Sequence, residues 1–438
     1  MDLICLTLAG SRKTGFTDGQ GEGVRFSKPA SSCLLPDGTI LISDSRNNAL
    51  RRLDLLGNSE TFAAQETRDN LLEPTGLALS PTGDMLYIAD SGHHRIRAFH
   101  ILQKKLYTVA GAGRRGFKDG KGLAAEFNNP TSICVASDGS LFVGDEDNNS
   151  IRIIDTEGVV STLIGGGTIN RQRSNSSSSI KRVYFRDGDA KVAALNSPSG
   201  ICLRDDGLLI VADRNNHCIR AYRDGIVQTI AGIPQVAGFQ DGDTKVQLSK
   251  ALEDDPTAYS VVVNAAALFN KPCAVAVAQD GSVLVVDMGN HAIRRISRDL
   301  RKVSTIAGAL PMLVGTAERT LSQQHQYNIS NQQQGYQSSG RIQQNYMNPT
   351  ILAGEIAVRA RGQSGFLNGL ALGGARLYNP RWITLVGSAA IVIDQGNHAI
   401  RLLTFDPNAL SNNKLQDQTN KYLGIDVYTH FTKTFISA

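Results

Sequence analysis

Aspartate, histidine and arginine are the residues of proton transfer and of metal coordination, and in this chain they recur together at fixed spacing. The phrase is an Asp, two variable residues, Asn or His, His or Asn, one variable residue, Ile or Leu, then Arg. It runs from Asp44 to Arg51, Asp90 to Arg97, Asp145 to Arg152, Asp213 to Arg220, Asp287 to Arg294 and Asp394 to Arg401. His217, His291 and His398 hold its fifth place in the last three copies. Repetition argues against catalysis, which needs one asymmetric constellation rather than equal copies around a ring. The phrase therefore reads as structural. Each Asp would end a strand, cap the following turn and pair with an Arg or with turn amides, with the histidines packed beside it.

Other chemistry is sparse. Asp187-Gly-Asp189 and Asp241-Gly-Asp243 hint at calcium but lack an EF-hand loop with its closing Glu. There is no Walker pattern and no HExxH. Ser364, in Gly362-Gln-Ser-Gly365, falls one residue short of a nucleophile elbow. His93, His94, His100, His325 and His430 form no evident ligand set. No catalytic residue, metal or cofactor is expected.

The elements that carry the phrase repeat as well. A proline precedes each motif Asp at nearly constant distance: Pro29, Pro74, Pro130, Pro198, Pro272 and Pro380. Between them lie two apolar runs split by a turn, which is Asp-Gly at Pro36-Asp-Gly38, Ser137-Asp-Gly139, Asp205-Asp-Gly207 and Gln279-Asp-Gly281. Asp-Gly between apolar runs is a hairpin signal. A third run follows the Arg, and a fourth ends in Thr-Ile-Ala-Gly or a near copy, as at Gln228-Thr-Ile-Ala-Gly232. Four antiparallel strands per unit, repeated six times, predict an all-β fold, a six-bladed β-propeller. The last unit lacks its fourth strand, and Leu6-Thr-Leu-Ala-Gly10 at the chain start supplies one. The N-terminal strand should close the ring, with Ile425-Asp-Val-Tyr-Thr-His-Phe431 as the rival. The propeller spans 1–406, in units of about 11–63, 64–111, 112–166, 184–232, 233–308 and 365–406 plus 1–10, followed by a C-terminal extension, 407–438.

These residues resemble the NHL-repeat family, named for its Asn-His-Leu triplet, which is Asn-His-x-Ile-Arg in the last three units. A second family phrase precedes the prolines: Gly15-Phe-Thr-Asp-Gly19, Gly116-Phe-Lys-Asp-Gly120, Tyr184-Phe-Arg-Asp-Gly188, Gly238-Phe-Gln-Asp-Gly242 and Gly365-Phe-Leu-Asn-Gly369. The second unit lacks it. Phe16, Phe117, Phe185, Phe239 and Phe366 would wedge between neighbouring blades. The resemblance implies a six-bladed propeller that works mostly as a binding platform. Related amidating lyases hold zinc through histidines of the central channel, but three such histidines cannot be placed here without reusing motif histidines.

Bulk properties set wider bounds. The chain has 438 residues, 41% of them hydrophobic, and a net charge of +5 that neither demands nor forbids an acidic partner. No apolar stretch is long enough to span a membrane. The N-terminus shows no signal peptide, so an intracellular, cytoplasmic protein is expected. The 6 cysteines form no CxxC pair. Cys33, Cys134 and Cys202 sit four residues after repeat prolines, where other units have Ala78, Ala276 and Thr384, and so read as reduced, packed thiols.

Functional information should lie where the units differ. Three insertions interrupt the spacers: 168–183, 243–266 and 309–364. The expectation is that all three open on the face of the Asp-x-x-Asn/His turns and bind a protein partner there, as a scaffold or as a subunit of a larger assembly. Tyr259, Tyr327 and Tyr336 are candidate contacts. Arg171, Arg173, Lys181, Arg182 and Arg186 make the first insertion basic and Ser-rich, which raises RNA binding as an alternative, without interleaved aromatics to stack bases. A metal-dependent hydrolase or lyase using the central channel is the enzymatic alternative.

Overall fold

A computed structural model describes residues 3–63, 70–165, 184–244, 266–308, 365–372, 374–387 and 389–404. Within each unit the apolar alternation builds one antiparallel sheet. In blade 1, Pro29–Leu34 pairs with Ile40–Asp44, then Ala49–Leu53, then Asn58–Ala63. The Asp-Gly turn between the first two strands holds Gly38 at φ +80, a conformation that favours glycine. Six such sheets form. Their proline strands pack side by side in sequence order, and the last, Trp382–Val386, returns to Pro29–Leu34. The ring is closed by Ile4–Gly10, which pairs with Ala399–Thr404 in the last blade, as the sequence predicts. The rival strand 425–431 lies outside the described residues. No described helix is long and apolar enough to cross a membrane.

Five of the six sheets carry a fifth strand that the four-strand reading does not include. It is the Asp-Gly end of the second phrase: Gly19–Gln20, for instance, pairs with Asn58 and Ser59 on the outer edge of blade 1. The extra strand covers main-chain groups that an edge leaves open. Blade 2, whose unit lacks the phrase, has four strands.

The phenylalanines of that phrase are not the wedges between blades. Phe16 is 50% exposed and Phe117 39% exposed, and Phe239, although buried, lies over the Arg294 guanidinium rather than in an inter-blade apolar cluster. The wedge is the residue three places before each proline. Phe26 is buried between Leu8 and Ile400 of blade 6 and Ile40 and Leu53 of blade 1. Phe127 fills the same place between blades 2 and 3, and Phe269 between blades 4 and 5. Leu71, Leu195 and Leu377 complete the set, all buried.

The path of the links also corrects the placement of the insertions. Each proline pairs with its motif Asp, so the start of the first strand, the turn after the second and the end of the fourth share one face, here called the motif face. The link then runs back along the outer edge to the opposite face, forms the short fifth strand, and returns between blades to the next proline. Segment 166–183 begins after Gly165, where an added Cβ would lie 2.8 Å from the Asn149 carbonyl in the motif turn. It ends before Tyr184, whose carbonyl accepts the Asn216 amide. Segment 309–364 is likewise anchored at the motif face, between Gly308 and Gly365, whose carbonyl accepts from Asn397. Segment 245–265 is not. It begins after Thr244, whose N–H donates to Arg301 O in the turn between the third and fourth strands of blade 5. The described residues flanking 168–183 and 309–364 therefore lie at the motif face and those flanking 243–266 at the opposite one, which departs from the expected single face; the insertions themselves lie outside the described residues. Sequence spacing gives the length of a link but not the depth of its excursion.

Replacing Phe127 with Ala should lower the unfolding free energy by about 3–5 kcal/mol, through lost burial and a cavity between blades. Replacing the half-exposed Phe16 should cost no more than about 1 kcal/mol. Chemical denaturation of the two variants separates wedge from cover.

Candidate functional site at the axis

The motif arginines are fully buried, which a guanidinium tolerates only when its charge and its five N–H groups are answered. In blade 5, Arg294 donates to Asp287 at 2.9 Å and to the Leu268 carbonyl through one terminal nitrogen. It donates to Asp241 and the Gln240 carbonyl through the other, and to Asp241 again through Nε. The two carboxylates come from the two phrases, the motif Asp and the Asp of Gly-Phe-x-Asp-Gly. Arg51 and Arg220 repeat this arrangement in blades 1 and 4. The phrase phenylalanine covers the guanidinium from outside, at 4.6 Å for Phe185 on Arg220 and 4.9 Å for Phe366 on Arg401. In blades 1, 3 and 5 the wedge phenylalanine lies within cation–π distance of the same guanidinium. Asp187 and Asp241, which hint at calcium in the sequence, are engaged by Arg220 and Arg294. Among the described residues no three His, Cys, Asp or Glu side chains cluster to hold a metal.

The Asn/His pair divides its labour between two blades. The first member bonds the motif Asp: Asn47, Asn148, Asn216, Asn290 and Asn397 donate to it, and His93 Nδ1 lies 3.0 Å from Asp90. The second member, expected beside the same Asp, instead reaches into the following blade. It is a left-handed residue in every copy, with φ between +51 and +57. Its side chain accepts the N–H of the residue before the next proline. Asn48 takes Glu73, His94 takes Asn129, Asn149 takes Ser197, His217 takes Lys271, His291 takes Asn379, and His398 takes Lys28 across the ring closure. Asn Oδ1 and His Nδ1 sit at the same remove from the backbone, so either residue makes this staple. The motif Asp does not cap its own turn. Its free oxygen accepts a backbone N–H from the incoming link, as Asp287 does from Asn270.

Burial acts on both partners. It pushes the carboxyls of Asp44, Asp145, Asp213, Asp287 and Asp394 up to about 6, against the pull of their hydrogen bonds and arginines. It pushes the His217 imidazole down to about 4, with the nearby Lys271 charge acting in the same direction. His94 and His398 are also lowered, chiefly by burial. A neutral imidazole is what an Nδ1 acceptor requires.

Against this regular frame, asymmetry appears at the axis. The residue after each motif Asp is Ser45, Ser91, Glu146, Arg214, Met288 or Gln395. In three blades it donates to the proline carbonyl of the following blade: Ser45 to Pro74, Ser91 to Pro130, and Gln395 to Pro29. Blade 3 has Glu146, which is 4% exposed and cannot donate as a carboxylate. It accepts from Arg214 of blade 4. Its second oxygen lies 3.8 Å from Arg381 of blade 6, across the axis, and has no hydrogen bond. Thr131 Oγ1, in the adjoining strand of blade 3, is also buried without one. Cys273 donates to the carbonyls of Pro380 and Arg381, and its thiol is pushed up to about 11 by burial, so it packs rather than reacts.

Arg171, Arg173, Lys181, Arg182, Tyr259, Tyr327 and Tyr336 lie outside the described residues. Arg186 is half-buried, and its carbonyl serves the Arg220 clamp. Glu146, Arg214 and Arg381 went unnoticed in the sequence. The signal was present: at a fixed place in the repeat, one unit carries an acid and the next a base.

Residues 18–187 match the teneurin NHL domain and residues 195–222 match the NHL repeat. The chain is a six-bladed β-propeller that carries NHL-repeat sequence over those residues. It is 26% identical over 314 residues to Protein SUPPRESSOR OF QUENCHING 1, chloroplastic, of Arabidopsis thaliana, covering 67% of this chain and 27% of that protein. It is 24% identical over 340 residues to NHL repeat-containing protein 2 of Homo sapiens, covering 68% of this chain and 42% of that protein. Teneurin-3 of Danio rerio is 27% identical over 265 residues, covering 51% of this chain and 10% of that protein. The chain thus spans less than half the length of these curated relatives. Among solved structures, an auxiliary nutrient binding protein from Bacteroides thetaiotaomicron shares the fold, with TM-score 0.57, 13% identity, and coverage of 92% of this chain and 76% of that chain.

His217→Asn tests the staple, because Asn keeps the acceptor without titrating. A lowered folded pKa means that the histidine's contribution is present above about pH 6.5 and is lost as pH falls towards 4. The raised Asp pKa values act oppositely in that window, but both proteins carry them. Between pH 7.5 and 4.5 the wild type should lose about 1–2 kcal/mol of unfolding free energy relative to the variant. Parallel pH profiles would refute the staple at this blade.

Proposed function

We propose that the chain is a non-enzymatic interaction platform that docks a partner protein on its motif face. The observation that carries this reading is how the repeated polar residues are used. The motif aspartates, arginines and Asn/His pairs are engaged in clamps within blades and staples between them, which leaves their chemistry committed to holding a rigid ring. Variation is concentrated at the axis of the motif face and in the two segments anchored around it, 166–183 and 309–364. A rigid scaffold carrying variable links on one rim is suited to recognition. Membership of the NHL repeat group supports it in general terms, and the partner's identity is part of what must be measured.

Cross-linking mass spectrometry of the full chain in native extract tests the proposal. Lys28 and Lys271 mark the motif face, while Lys121, Lys191 and Lys302 mark the other, and all five are exposed. Partner cross-links should concentrate on the first pair. Concentration on the second group, or no partner cross-links at all, would overturn it.

A further inference from the structure

We propose that the axial end of the motif face is a binding site for a carboxylate that carries a hydrogen-bond donor beside its charge. This is the chemistry of 2-hydroxy acids, 2-amino acids and the C-terminal end of a polypeptide. The argument begins with what the fold does not need. At the place of Glu146, other blades use Ser or Gln to donate to the next proline carbonyl, and no charge is required. A buried carboxylate there gives up that donation. It also leaves one oxygen without a hydrogen bond, which is costly in a folded interior. Two guanidiniums converge on it from different blades, Arg214 from blade 4 and Arg381 from blade 6. Their side chains remain 22% and 14% exposed, so the charges face the axis rather than closing into the core.

The charge sum is two positive against one negative. A ligand carboxylate would restore balance, and guanidiniums meet carboxylates with matched, two-pronged geometry. The orphaned oxygen of Glu146 then calls for a donor on the same ligand. A hydroxyl or N–H on the carbon next to the carboxylate supplies one. A bare anion would satisfy the arginines and leave Glu146 unanswered. This site does not depend on the partner-docking proposal, since a free acid and a polypeptide end share the chemistry. A result against either leaves the other standing.

The test is calorimetric titration of the full chain with L-lactate, L-alanine, N-acetyl-L-alanine and acetate. The first three should bind more tightly than acetate. Free acids binding best would point to a small ligand, and the N-acetylated acid binding best would point to a polypeptide end. Either result supports the site. Arg381→Gln and Arg214→Gln, each checked for an unchanged thermal transition, should weaken binding about tenfold or more. Glu146→Ala should bring the lactate-to-acetate affinity ratio towards one. The proposal falls if none of the donor-bearing acids binds, or if every variant that folds binds them as the wild type does.

Discussion

A buried guanidinium is the constraint from which the rest of this propeller follows. Six of them stand inside the ring, one per blade, each fully removed from water. Desolvating such a charge is tolerable only if opposite charge and hydrogen-bond acceptors surround it. In every blade but the second, whose unit has only one of them, the two repeated phrases meet this demand from different directions. One sends in a carboxylate at the end of the second strand, the other a carboxylate and a phenylalanine from the incoming link. Bringing them together fixes where the link must run, and so lays the fifth strand against the outer edge. The last blade shows the tolerance of the scheme. There Asn368 replaces the second Asp, Arg401 still binds it at 3.0 Å, and Arg401 Nε is left without a partner.

The clamp organises a blade, while the staple organises the ring. A left-handed Asn or His at the motif turn hands its acceptor to the neighbouring blade in all six copies, including the junction where blade 6 meets blade 1. The buried phenylalanine or leucine three residues before each proline fills the space beneath it. Polar register and apolar wedge thus act on the same short link. The titratable members of this system owe their shifts to burial and structure, which is a caution against reading displaced pKa values as marks of a catalytic site.

The fold was legible because it is repetitive. Proline-to-Asp spacing and Asp-Gly turns each had one geometrical solution, and the N-terminal strand had a single rival for closing the ring. What escaped was relational. Phe16 and Phe26 are both aromatic and ten residues apart, and nothing in composition says that one covers an arginine while the other fills the inter-blade gap. The faces of the insertions depended on how far a link travels before turning back, and 243–266 interrupts it at the far end. The axial group was hidden for a different reason. Glu146, Arg214 and Arg381 belong to three separate units, and only the closed ring sets blade 3 opposite blade 6. A search for catalytic motifs along the chain passes over it. Comparing two register positions across units, the residue after the motif Asp and the residue after the proline, would have found it.

The most direct test of the central claim is a double-mutant cycle on one clamp, Asp287→Asn and Arg294→Met, followed by chemical denaturation. If the pair holds its blade as described, each single change should be strongly destabilising and the double change much less than additive, with a coupling of about 1–3 kcal/mol. Additive effects within about 0.5 kcal/mol would mean that the two charges do not sustain one another, and would contradict the account.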